Sequence, residues 1–200
     1  MILLGAVVVG LLAGLTRARL QRLPYQAPEL KWLWLVFLAF FAQWLAFRLP
    51  VSWMHINSNW AAAALVGSQF ALLVFAWANR RQPAFWLLGI GLLLNLVVIV
   101  ANGGLMPITP ETVAHLTKAE PGLVWQVGER LGTGKDIVLN AEATRLWFLS
   151  DRFLLLPDGL DFQVAFSLGD AIIAGGAFWL LFLPQDRKQV VTEQAFATSG

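Results

Sequence analysis

Cysteine is absent from this 200-residue chain. That excludes disulfides, thiolate metal sites and a cysteine nucleophile, and it leaves the redox compartment unread. Charge is scarce as well. Charged residues make up 13% of the chain and the net charge is +2, too small to argue for a nucleic-acid partner. The isoelectric point near 9.4 reflects a few basic residues at helix ends, with no basic face. Only two histidines occur, His55 and His115, without the paired spacing of a metal site, so each reads as an exposed loop residue. Tyrosine occurs once, against ten Trp and fourteen Phe, a bias that suits lipid contact and interface anchoring. What fills the chain is apolar: 58% hydrophobic residues and a mean hydropathy of +0.66. A soluble domain of this size could not hide that surface, so composition points to an integral membrane protein.

Five apolar segments read as membrane helices, over residues 1–15, 31–47, 60–78, 84–101 and 164–183. A span takes about 17–25 residues. The first is short by that measure, at roughly 22 Å for 1.5 Å per residue. It lacks the basic start and cleavage site of a signal peptide and reads as an uncleaved helix. The fold class is therefore an all-α membrane protein with one membrane domain over 1–183. Arg17, Arg19, Arg22 and Lys31 crowd the first connection, Arg80 and Arg81 the third, and Arg187 and Lys188 the tail. The second holds only Arg48, and the long fourth spreads Lys118, Arg130, Lys135, Arg145 and Arg152 among eight acidic residues. The positive-inside rule then predicts the N-terminus outside, an extended outer segment over 102–163, and a polar cytoplasmic tail over 184–200.

The outer segment is too long for a plain loop. Thr109-Pro110-Glu111 predicts an N-cap, an N1 proline and a first-turn acid, opening a short helix through His115 and Leu116. Gly132-Thr133-Gly134 reads as a flexible turn. Asn140 is placed to cap a further helix carrying Leu146-Trp147-Phe148-Leu149, a segment suited to the outer interface. Glu129 to Asp136 has the outline of a phosphate loop and fails it, because Glu129 replaces the first Gly and Asp136 the Ser or Thr.

Two constellations carry chemical interest. Asn102-Gly103-Gly104-Leu105-Met106-Pro107 ends the fourth helix, where the glycines serve as a left-handed cap or let the backbone approach another group closely. Asp151, in Leu-Ser-Asp-Arg-Phe, and Asp170, in Phe166-Ser167-Leu168-Gly169-Asp170, are carboxylates at the edge of apolar runs, costly to bury. Brought together, they would share a proton and polarise a water for peptide hydrolysis. The structural alternative pairs Asp151 with Arg145 or Arg152, and Asp170 with helix-end amides. Gln43, Gln69 and Asn95, within spans, read as interhelical hydrogen-bonding groups, and the helix glycines as close-packing sites.

The order of Asn102–Pro107, Leu149-Ser150-Asp151 and Phe166–Asp170 resembles an uncharacterised family of small bacterial membrane proteins, a domain of unknown function. That resemblance implies a polytopic membrane protein and supplies no activity. Asp151-Arg152 followed by Phe166–Gly175 is similar in outline to the end of lipoprotein signal peptidases, which implies Asp151 and Asp170 as a catalytic dyad. The Gly-Asn before the first Asp is missing, Ser167 replaces Asn, and Gly169 replaces Ala. The expected function is a non-enzymatic accessory or scaffold subunit of the bacterial inner membrane. Its expected partners are the lipid bilayer and other membrane-protein subunits, with no cofactor and no metal. The alternative is an intramembrane aspartyl hydrolase using Asp151 and Asp170. Asn102, Gly103, Gly104, Pro107, Ser167 and Gly169 are expected as binding or structural motif residues under either reading.

Overall fold

A computed structural model describes residues 2–47, 57–117, 126–155 and 163–183. The tail 184–200, Arg48, His55, Lys118 and part of the segment 102–163 lie outside them. Among the described residues the fold is mostly helical: α1 (Ile2–Leu20), α2 (Trp34–Phe47), α3 (Ser58–Ala78), α4 (Ala84–Ala101), α5 (Pro110–Thr117) and α6 (Leu168–Phe182). Short strands β1 (Met106–Ile108), β2 (Asp136–Val138), β3 (Phe153–Leu155) and β4 (Val164–Phe166) lie between α4 and α6, with a 3-10 turn over Trp147–Leu149. The expectation of an all-α chain is corrected by these two small sheets.

Among the described residues three helices are long and apolar enough to cross a membrane: α1, α3 and α4. The first is longer than the expected 1–15, because the helix runs through Arg17 and Arg19 to Leu20. Arginine is a good helix former, and a cation near a C-terminus complements the dipole. Two other expected spans are shorter than their apolar runs. Residues 31–33 form a turn ahead of α2, which has 14 residues, and 164–166 pair as strand β4 ahead of the 15-residue α6. The physical reason at α6 is Ser167. Its side chain caps the Asp170 N–H while the Asp170 carboxylate caps the Ser167 N–H, a reciprocal start signal that fixes where the helix begins.

The helices lie in the order α1, α6, α4, α3, α2, each packed on the next. Small residues set the seams. A Cβ on Gly10 would stand 2.9 Å from Phe178 Cα, and one on Gly14 2.3 Å from the Leu181 carbonyl, so α1 runs parallel to α6 with backbones in contact. Across the other seam, a Cβ on Gly91 would meet the Gly169 carbonyl at 2.6 Å, and one on Gly176 would meet Leu88 at 3.0 Å, in antiparallel order. Close approach of this kind gives apolar helices their dispersion contact when no water drives them together. Leu35, Phe75, Ala76, Phe85 and Leu92 form one buried cluster, with Phe75 and Phe85 edge to face at 5.4 Å. Leu65, Val98, Ile99, Met106 and Leu149 form a second, joining α3 and α4 to the polar segment beyond them.

That segment is built on β1. It pairs in parallel with β2, and on its other side Ile108 bridges Asp151. The short helix expected after Thr109 is present as α5, with the Thr109 hydroxyl oxygen accepting from the Thr112 N–H at 3.3 Å. Asn140 does not cap a helix. Its carbonyl closes a turn by accepting from the Ala143 and Thr144 N–H groups, and Leu146 enters the left-handed region, φ 56°, before the 3-10 turn.

Candidate functional site: a buried polar cluster at the head of an apolar cavity

The Asn102–Pro107 stretch does two jobs at once. Gly103 and Gly104 sit at φ 84° and 92°, reversing the chain after α4, and a Cβ on Gly104 would come within 2.7 Å of Ala62 on α3. Asn102 donates to the Val98 and Arg145 carbonyls and accepts from the Arg145 N–H at 2.9 Å, so one side chain fastens residue 145 to the end of α4. The chain then enters β1 with Pro107 fully buried.

Strand β1 brings the two halves of the cluster together. The Met106 N–H donates to the Lys135 carbonyl at 3.0 Å, and the Asp151 N–H donates to the Pro107 carbonyl at 3.1 Å. Residues 129–138 turn back through Gly132-Thr133-Gly134, with Gly132 at φ 56°, which aims Lys135 across the strand. The Lys135 ammonium donates to Asp136 Oδ1 at 2.9 Å and pairs directly with Asp151 Oδ2. Asp151 is 3% exposed. Its Oδ1 accepts no hydrogen bond among the described residues.

Neither arginine expected beside Asp151 pairs with it. Arg152 lies over the Trp147 ring at 4.2 Å, and Arg145 reaches the Ala101 carbonyl. Lys135 takes that place, and only its position across β1 could have pointed to it.

Asp170 is held separately. Asn95, in α4, donates to Asp170 Oδ1 at 2.7 Å and accepts from the Ser167 hydroxyl at 2.9 Å. The Ser167 N–H donates to Asp170 Oδ2 at 3.4 Å, while the Asp170 N–H donates to Ser167 Oγ at 3.0 Å. Gly169 makes this triangle possible, since a Cβ there would lie 2.0 Å from Asn95 Oδ1. Asp151 and Asp170 therefore share an electrostatic neighbour rather than a hydrogen bond. Burial disfavours the Lys135 ammonium, but Asp136, Asp151 and Asp170 together hold its pKa above the ordinary lysine value. Burial above all, with Asp136 and Asp170 adding to it and Lys135 opposing, leaves the Asp151 carboxyl pushed up to about 7.

Lys135, Asp170 and Asn95 line one end of a cavity of about 560 Å³. Its walls are apolar residues of α1, α2, α3, α4 and α6, among them Val7, Val36, Leu72, Leu92 and Ile173, with Gln43 and Gln69 as polar interruptions. Gln43 donates to Ser68 Oγ at 2.8 Å, whereas Oε1 of Gln69 accepts nothing among the described residues. The Lys135 side chain keeps 39% exposure and lines this cavity. His115 stays exposed on α5. Among the described residues no three His, Asp or Glu side chains are grouped to hold a metal ion.

A cavity of this size falls within the usual range of small-molecule sites, about 300–1,000 Å³, and Lys135, Asp170 and Asn95 give it a polar end. No curated protein and no solved structure matches the chain. A family profile matches residues 28–182, a stretch that holds α2 to α6 and every member of the polar cluster and leaves α1 outside. The chain belongs to the family of unknown function DUF5317.

Proposed function

We propose that this protein is a non-enzymatic lipid-binding subunit of the bacterial inner membrane, holding the chain of an amphiphile in the cavity between its helices. The observation that carries the reading is the cavity itself, apolar along its walls and polar at the Lys135–Asp170 end. In this reading all five apolar helices sit in the bilayer, with the two short ones matched by tilt of their neighbours and local thinning. The basic residues of the connections favour an outward N-terminus, an outward polar segment and a cytoplasmic C-terminus. Exposed Phe37, Phe40, Phe41 and Trp44 on α2 face lipid or the helices of a partner subunit, which gives the accessory or scaffold role its surface.

Native mass spectrometry of the protein extracted from its own membranes tests this. Retention of lipid that a Leu72→Trp variant, folded by thermal melting, no longer retains is the expected result. Equal retention by both overturns the reading. Because the chain has no cysteine, single-cysteine labelling decides the orientation cleanly. Thr133→Cys is expected to react with an impermeant maleimide from outside, and Arg81→Cys only after lysis.

A second reading, the aspartyl hydrolase, draws on one observation: the raised carboxyl of Asp151 near Asp170, around a common lysine. Lys135 occupies one Asp151 oxygen, and Asn95 and Ser167 occupy Asp170, so the two would have to exchange partners before sharing a water. Cleavage of a transmembrane peptide by the wild type, lost in Asp170→Asn, would establish it over the first.

A further inference from the structure

The polar end of the cavity has a sign. One ammonium, Lys135, stands among three carboxyl groups, Asp136, Asp151 and Asp170, and no other cation is paired with these carboxyl groups among the described residues. The local charge is negative whether or not Asp151 holds its proton. An ammonium has three N–H donors, and the hydrogen bonds to Asp136 and Asp151 use two. Lys135 lines the cavity, so its third donor is available to an acceptor inside it. An acceptor for a ligand's own donor is present too: Asp170 lines the same space, and each of its carboxylate oxygens accepts only one hydrogen bond among the described residues. A carboxylate oxygen has lone pairs for a second donor, so a ligand head can add to these bonds without displacing them.

From this charge complementarity we infer that the cavity takes a single-chain amphiphile whose head donates hydrogen bonds and bears no negative charge, a long-chain alcohol or amine, and rejects the corresponding carboxylate. The inference rests on the lipid-binding reading above and adds the chemistry of the head. An anionic head would have to approach Asp170 with its only attractive partner already shared by two carboxylates. Like charges set together across a desolvated contact are strongly disfavoured. An alcohol meets no such opposition and matches both the spare lysine donor and the remaining acceptor capacity of Asp170.

Oleyl alcohol, oleylamine and oleate share one chain and differ only in the head, so they separate the two levels of the reading. Purified full-length protein is titrated with each, and binding is followed by native mass spectrometry and by the shift in thermal midpoint. Alcohol and amine are expected to bind, with oleate weaker by about tenfold or more. Asp170→Asn keeps the shape and removes the charge, and is expected to narrow the gap between amine and oleate by at least about threefold. Oleate binding as tightly as the amine in the wild type overturns the inference and leaves the cavity reading standing. Binding of none of the three overturns the cavity reading itself. Should Asp170→Asn fail to fold, the wild-type order of the three ligands still decides.

Discussion

The two ends of α6 are fastened by different physics. At its C-terminal end the Leu181 and Phe182 carbonyls accept from the Tyr25 hydroxyl at 3.2 Å and from the Arg17 guanidinium at 3.0 Å, and Arg17 also lies over the Phe182 ring. Those groups satisfy open carbonyls and complement the helix dipole, a task of structure alone. At its N-terminal end a capping box would have sufficed. The fold instead adds Asn95 from α4 and sets beside it the pair of a buried Asp151 and a part-exposed Lys135. Buried ion pairs repay their desolvation poorly, so an end built this way gives up stability that the other end keeps. The region that departs from cheap solutions is the one facing the cavity, where a site is expected to break local rules.

The largest expected loss comes from removing the lysine. Lys135→Gln leaves Asp151 buried without its cation and is expected to cost about 3–5 kcal/mol, toward the lower value because the lysine is itself part exposed. Adding Asp151→Leu to that variant is expected to recover most of the loss, since a buried pair replaced by apolar groups is often neutral. Thermal unfolding of the two variants in one detergent measures both. If the double variant is as unstable as the single one, the strain lies elsewhere than in the bare charge.

The second effect probes the seam that carries the site. Gly169→Ala places a methyl group 2.0 Å from Asn95 Oδ1 and 2.7 Å from the Gly91 carbonyl, so backbone must move. Overpacking of this kind costs about 1–3 kcal/mol, occasionally more. Gly5→Ala is the matched control: nothing lies within 4 Å of a Cβ there. It is expected to be neutral or to stabilise by up to about 1 kcal/mol through helix propensity. Melting curves of the pair distinguish seam from surface, and equal losses would mean that the close approach carries no energy.

Much of this arrangement could be read in the sequence, and the part that could not has a common cause. The apolar runs gave away α1, α3 and α4, and Thr109-Pro110-Glu111 marked α5, because apolar composition and helix capping are local and leave a local trace. Ser167-Leu168-Gly169-Asp170 carried a capping-box start as well, but the apolar Val164–Phe166 beside it reads as more of the same span. Lys135 was not legible. It lies in a glycine-rich turn where a lysine usually meets solvent, and it reaches Asp151 only through three-residue strands too short to show alternation. Asn95 could be named as a polar residue within a span, but its partners lie 72 and 75 residues away. Long-range pairing leaves no period to count.

Proton binding offers a perturbation that acts on one end only. With its carboxyl pushed up to about 7, folded Asp151 holds a proton over a range where the unfolded residue, near 3.8, has lost it. Its contribution to stability is therefore present below about pH 4 and lost as the pH rises through about 7. The midpoint is expected to fall over that window, and Asp151→Asn to flatten the fall. The raised pKa of Lys135 acts elsewhere, since its contribution persists until alkaline pH and fades only above the ordinary lysine value. A midpoint that rises from pH 4 to 7 in the wild type, and equally in Asp151→Asn, would show that other carboxylates dominate.

The smallest effect belongs to the C-terminal end of α6 and completes the contrast. Arg17→Ala removes the hydrogen bond to the Phe182 carbonyl and the contact over its ring. A partly exposed cation at a helix C-terminus is worth about 0.3–1 kcal/mol and is screened by salt. The loss should shrink at high ionic strength, whereas the Lys135→Gln loss should persist, because buried charges are screened much less. Melting both variants at low and high salt reads this directly. If both losses vanish with salt, the Lys135–Asp151 pair is as open to solvent as Arg17, and the two ends of α6 are alike after all.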